Sequence, residues 1–154
     1  MDPNQSLQLF SRCAFKKDQP PEEYLDLSKD IVKKTGGLPL ALKVIGSSLL
    51  GMEKSVWQET LEMLHNHSHD DEVLEKLKIS YDGLKDFEKE IFLDIACFFN
   101  GMDKNIACLI WTQRKFYPNE GIKVLCQRFL VKIGENNELK MHDLLKDLGK
   151  EIIR

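Results

Sequence analysis

From Leu7 to Phe129 the apolar residues recur at three- and four-residue intervals, and proline or glycine cuts the run into short pieces. That period lays one apolar stripe along each of a series of short helices, so the chain must fold by packing helix on helix. Pro3 opens the first, marked by Leu7, Phe10 and Ala14. Pro20 and Pro21 seed a second with Tyr24, Leu27, Ile31 and Val32, and Gly36-Gly37 ends it, because glycine takes left-handed cap conformations at little cost. Pro39 opens a third with Ala41, Val44, Ile45 and Leu49, closed by Gly51, and Trp57, Leu61 and Leu64 mark a fourth. The spacing predicts a four-helix bundle over residues 1–66, a polar linker without periodicity at 67–71, and a second subdomain from 72 to 154.

In the second part Val73, Leu74, Leu77, Tyr81 and Leu84 line one helix. Asp86 suits the cap of the next, whose Phe87, Ile91, Ile95, Phe98 and Phe99 surround it with apolar side chains and predict the buried centre. Asp103 caps a helix with Ile106, Leu109 and Ile110, and Pro118 opens one with Ile122, Leu125, Cys126 and Phe129. Then the period changes to two. Val131 and Ile133 alternate, residues 134–137 are turn chemistry, and Leu139 and Met141 alternate again, which reads as a β-hairpin. A last helix starts at Asp143 with Leu144, Leu145, Leu148 and Ile152. The expected fold is therefore mainly α, a helical bundle followed by a winged helix with a small β-hairpin.

Composition fits this reading. The 154 residues allow one ordinary domain or two small ones, and 42% hydrophobic with 31% charged residues suits a globular chain. A net charge of −3 gives no general attraction to nucleic acid or anionic membrane. Cys13, Cys97, Cys108 and Cys126 show no paired spacing and read as reduced thiols of a cytosolic protein. Asp94 interrupts the apolar run from Ile91 to Phe99, which is far too short to span a bilayer, and no signal peptide is visible. The chain opens as if in mid-domain.

Two corners carry candidate chemistry. His142-Asp143 stands where the hairpin hands over to the last helix, and a helix start offers free amides and partial positive charge to an anion. An imidazole there can donate to a phosphate oxygen, and Asp143 suits the N-cap. The same residues also read as a capped helix beside a surface histidine. Gly37-Leu38-Pro39-Leu40-Ala41 is the second corner, where Pro39 offers a flat apolar face for a purine ring, or simply turns one helix into the next.

Other features carry less. Gly51 to Ser55 ends in Lys-Ser but lacks the glycines of a phosphate loop, and Asp94 sits in helical period rather than at a strand end. His65, His67 and His69 alternate without cysteine or carboxylate partners at zinc-site spacing. No metal site and no catalytic residue is expected. Arg114, Lys115, Lys123, Arg128 and Lys132 make the winged helix locally basic against Glu120, yet its recognition helix carries mostly core residues, so nucleic acid is not the favoured partner.

Read in order, five segments resemble one family. Leu9 to Phe15 is similar to the opening of the first helical subdomain of NB-ARC modules, and Gly37 to Leu42 resembles their Gly-Leu-Pro-Leu-Ala motif. Leu77 to Leu84 resembles the opening of their second subdomain. Phe92 to Phe99 looks like the version found in receptors with a TIR domain, and Met141-His142-Asp143 matches the Met-His-Asp motif. The likeness is to plant TIR-type nucleotide-binding leucine-rich-repeat receptors and covers nearly the whole chain.

The resemblance implies a role in an ADP/ATP-gated switch of plant defence. Leu38 and Pro39 would contact the adenine side and His142 the β-phosphate of ADP, with Met141 and Asp143 holding the switch and helix cap. ADP would keep the receptor closed, and exchange for ATP would release it to oligomerise. The implied partners are a P-loop domain and a leucine-rich-repeat region of the same receptor, in the cytoplasm with the nucleus also open. The chain has no P-loop, acidic metal site or sensor arginine of its own, so it is expected to lend contacts without binding nucleotide tightly or acting as an enzyme. The competing readings are a winged-helix nucleic-acid binder and a truncated receptor acting as an interaction scaffold.

Overall fold

The structure, a computed structural model, describes residues 2–66 and 73–154. The chain divides into two compact units, Met1–Asp82 and Gly83–Arg154. The linker expected at 67–71, and with it His67 and His69, lies outside the described residues.

The first unit holds α1 (Pro3–Phe15), α2 (Leu25–Lys34), α3 (Pro39–Leu49), α4 (Lys54–Asn66) and α5 (Val73–Asp82), with a 3₁₀ turn at Glu22–Tyr24 before α2. Asp2 caps α1 reciprocally with Gln5. The Gln5 amide donates to the Asp2 carboxylate at 2.8 Å, and the Asp2 amide donates to Gln5 Oε1 at 3.1 Å. The predicted stripes meet inside, where Phe10, Ile31, Leu42, Val44, Ile45 and Leu64 are fully buried. Trp57 is the hub. It stacks on Phe15 at 5.0 Å between ring centres, meets Phe10 edge-on at 5.8 Å and lies tilted against Tyr24 at 5.0 Å. α1 and α3 approach closely at Gly46, where an added Cβ would stand 3.0 Å from Cys13 Cβ.

One boundary differs from the sequence expectation. α5 does not open the second subdomain but belongs to the first unit, packing on α3 and α4. Leu77 is fully buried, and the Ser80 hydroxyl donates to the Val44 carbonyl at 3.3 Å. Its apolar stripe, set after a polar stretch, completes the bundle instead of starting a new core.

The second unit holds α6 (Asp86–Asp94), α7 (Lys104–Gln113), α8 (Pro118–Gln127), β1 (Lys132–Ile133), β2 (Leu139–Lys140) and α9 (Asp143–Ile153). Lys85, not Asp86, stands at the cap of α6, its amide donating to Glu88 Oε1 at 2.8 Å, while Asp86 lies in the first turn. α6 runs into a π-helical turn, Ile95–Phe99. Ile91, Phe92 and Ile95 are fully buried as expected, but Phe98 is 75% exposed. The wider π turn advances the apolar stripe and swings Phe98 outward.

α7 also turns a different face inward. Ala107 and Trp111 are fully buried, whereas Ile106 and Leu109 are mostly exposed. Trp111 donates from Nε1 to the Asp94 carboxylate at 2.9 Å, which Arg114 also meets at 2.7 Å. Asp94 is thus a half-buried helix residue with local partners. Asp103 caps α7 as the sequence suggested, accepting from the Asn105 amide at 2.8 Å.

β1 and β2 pair antiparallel, Lys132 opposite Lys140 and Ile133 opposite Leu139. The segment before α7 adds a further edge. The Gly101 amide donates to the Leu139 carbonyl at 2.7 Å, the Leu139 amide to the Met102 carbonyl at 2.8 Å, and Asp103 bridges Glu138. Two glycines let helices close on this frame. A Cβ on Gly121 of α8 would stand 2.6 Å from Ile91 Cδ1, and a Cβ on Gly149 of α9 would overlap the Ala96 methyl group. Among the described residues no helix is long and apolar enough to cross a membrane, and no cluster of His, Cys, Asp and Glu could hold a metal ion. The four cysteines are free, and burial pushes the Cys13, Cys108 and Cys126 thiols up from their ordinary range.

Candidate functional site

Leu38 and Pro39 stand together in the first unit. α2 ends with Thr35 donating from its hydroxyl to the Val32 carbonyl at 2.6 Å. Gly36 and Gly37 come next with φ of 69° and 71°, two successive left-handed residues that only glycine adopts freely. Leu38 returns to extended backbone as the cap residue of α3, without a side-chain cap, and Pro39 takes the first helical position. Pro39 has no amide to satisfy, and the Leu40 and Ala41 amides have no intrahelical acceptor at this helix start. Leu38 is half-buried and Pro39 exposed. Beside the glycine pair lies a cavity of about 550 Å³, whose wall includes Ser6, Leu7, Lys29 and Lys33 but neither Leu38 nor Pro39.

Met141, His142 and Asp143 stand together in the second unit. Met141 is buried and anchors the corner, while His142 and Asp143 are exposed. The roles within the triplet differ from the sequence expectation. His142, not Asp143, is the N-cap of α9, and its Nδ1 accepts from the Leu144 amide at 3.0 Å. The helix begins one residue earlier than a cap at Asp143 would give. An Nδ1 that accepts carries no proton, so the neutral ring bears its hydrogen on Nε2. Nε2–H is then a hydrogen-bond donor at the start of an 11-residue helix, where free amides and the helix dipole favour negative charge.

Asp143 lies in the first turn, and its carboxylate meets Lys146 Nζ at 3.0 Å. The hydrogen bond and charge of Lys146 hold the Asp143 carboxyl below its usual range, with a smaller contribution from Lys150. The pair also screens the negative charge that would otherwise oppose an anion at His142.

The winged-helix domain of Roq1-like disease resistance proteins matches residues 85–154, almost the whole second unit. Over 97% of its length the chain is similar to longer proteins. It is 41% identical to TMV resistance protein N of Nicotiana glutinosa and 41% identical to disease resistance protein RPS6 of Arabidopsis thaliana, and spans 13% of each. Over 99% of its length it is 36% identical to disease resistance protein RPP5 of Arabidopsis thaliana, of which it spans 10%.

Residues 85–154 belong to the winged-helix family of Roq1-like disease resistance proteins, and the chain as a whole is similar to plant disease resistance proteins.

It is a region of an immune receptor that carries the winged helix of that family. The first unit, which the winged-helix match leaves out, is covered by the similarity to the full-length resistance proteins. Two residues at the histidine corner of this receptor region were not singled out by sequence. Lys146 could have been found as the basic partner three residues after Asp143 on a helix. Asn100 could not, because its contact spans the sequence. Its side-chain oxygen accepts from the Met141 amide at 2.9 Å, 41 residues away.

Proposed function

We propose that this chain is the regulatory part of a nucleotide-gated switch in a plant intracellular immune receptor. The observation that carries the reading is the exposed imidazole of His142, whose Nδ1 is engaged by its own helix and whose Nε2–H is left to meet an oxygen. A phosphate oxygen suits that donor, because the helix start adds partial positive charge beside it. In this reading His142 meets the β-phosphate of ADP, and Leu38 and Pro39 lie on the adenine side. Asp143 with Lys146 keeps the turn in shape, and Met141 anchors it in the core. The nucleotide is held mainly by a P-loop domain of the same receptor, and this chain supplies contacts and autoinhibition rather than catalysis. The leucine-rich-repeat region is its other partner, and ATP exchange frees the winged helix for assembly, in the cytoplasm or nucleus.

The test uses a receptor carrying this region behind its P-loop domain. His142→Ala removes one hydrogen bond to a charged group, worth about 1.5–3 kcal/mol, so ADP should leave roughly tenfold to a hundredfold faster. Asp143→Val should act in the same direction, and both should shift the receptor toward its active state. Unchanged ADP retention in both variants would sink the reading. A salt-sensitive complex of this chain with duplex DNA would favour the nucleic-acid alternative instead.

A further inference from the structure

The Met-His-Asp corner is fixed from a distance. The π-helical turn Ile95–Phe99 ends at Asn100, which returns to extended backbone with ψ of 126°. From there three hydrogen bonds run to the second wing strand and its exit. Gly101 donates to Leu139, Leu139 donates to Met102, and Met141 donates to the Asn100 side chain at 2.9 Å. The first two are backbone pairings that any residue could make. The third needs a side-chain acceptor, and it seizes the last amide before His142.

That grip sets the backbone of the corner. Met141 is 7% exposed, and the next residue must already hold the cap conformation, with φ of −59° and ψ of 144°, for Nδ1 to reach the Leu144 amide. The adjoining helix is docked on the same π turn, where Gly149 closes on Ala96. The π turn therefore holds the histidine corner on both sides, through α9 by packing and through the wing exit by one hydrogen bond. Asn100 itself is exposed, so its side chain contributes little to the core.

We infer that Asn100 is a positioning residue for His142: by accepting from the Met141 amide it fixes the imidazole as the cap of α9 and keeps Nε2–H turned outward. Its consequence for ADP rests on the switch reading above, whereas the contact rests on geometry alone.

The test has two arms. In this chain, the imidazole nitrogens of His142 are followed by NMR near neutral pH in the wild type, Asn100→Ala and Asn100→Asp. The carboxylate of Asn100→Asp keeps an acceptor, so its ring should keep the Nε2–H form of the wild type. Asn100→Ala should shift both ring nitrogens toward the tautomer mixture of a free histidine and speed exchange of the Leu144 amide, with overall helix content unchanged. Should the alanine variant not fold, Asn100→Lys replaces it, being long and solvated but without an acceptor. Ring signals that ignore the presence of an acceptor at position 100 would overturn the inference.

In the receptor carrying the P-loop domain, loss of the acceptor should speed ADP release by several-fold, up to about tenfold, the effect of one neutral hydrogen bond. Asn100→Asp should retain ADP as the wild type does. A ring response with no change in ADP release would keep the positioning role and count against the switch. No ring response would overturn the positioning role whatever ADP does.

Discussion

The start of α3 and the start of α9 are built from different materials. α3 begins with backbone alone: two left-handed glycines, an uncapped Leu38 and a proline that has no amide to satisfy. α9 begins with a side chain, the His142 ring that takes the Leu144 amide for itself. The first corner leaves its next two amides open and offers an apolar face. The second uses up one amide and offers a ring N–H in exchange. A corner shaped by glycine conformations is insensitive to protonation but intolerant of any side chain at the turn. A corner shaped by an imidazole tolerates backbone variation but depends on which ring nitrogen carries the proton.

That contrast can be broken at either end. The largest effect is expected from Gly37→Val, which forces a β-branched residue to φ near 71° and should cost about 1–2 kcal/mol or more. Denaturant unfolding would read the loss, and amide exchange should place it in the first unit and not in α9. The added Cβ itself has room, since its nearest neighbour is Ser6 Oγ at 3.5 Å, so the cost is conformational.

A smaller effect separates the two duties of His142. His142→Ala removes the cap and should cost about 1 kcal/mol, with faster exchange in the first turn of α9. His142→Asn keeps a good cap and should restore that stability. Recovery by asparagine shows that the ring caps the helix, and failure to recover would mean that it does not.

The smallest concerns Asp143. Its carboxyl is depressed by Lys146, so the stabilisation it gives is present above the unfolded carboxylate range and is lost as pH falls through the folded value. Lys146→Met should raise the Asp143 titration midpoint seen by NMR toward an ordinary aspartate. A midpoint that stays where it was would mean that Lys146 does not govern this carboxylate.

The fold was largely legible because punctuation and period agree. Pro3, Pro39 and Pro118 open the helices they were expected to open, and the switch from helical spacing to period two marks the wing. The failures share a cause, which is that tertiary packing chose between locally equal options. On α7 both Ile106 with Leu109 and Ala107 with Trp111 lie at helical spacing, and the fold buries the second pair, with the Trp111 ring packed on Phe99 and bonded to the Asp94 carboxylate. α5 carries a stripe that fits either unit, and the Ser80 bond to α3 shows which one holds it. A π turn leaves no trace in an apolar run, so Phe98 reads as core in the sequence and stands exposed in the fold. At the site, Asp143 is the better cap by residue type, but Met141 is bound to Asn100 and the cap falls on the residue directly after it. The motif residues were readable as a group, while their division of labour needed a contact spanning 41 positions.

The wing has a further property. β2 is bonded on one side to β1 and on the other to the segment that leads into α7, so this tiny sheet keeps its inner strand covered on both edges. Its outer strand is two residues long and begins with an exposed lysine, Lys132. Short edges and edge lysines discourage strand-to-strand self-association. A domain that parts from its neighbours, as the proposed switch requires, can therefore open without offering a template for aggregation.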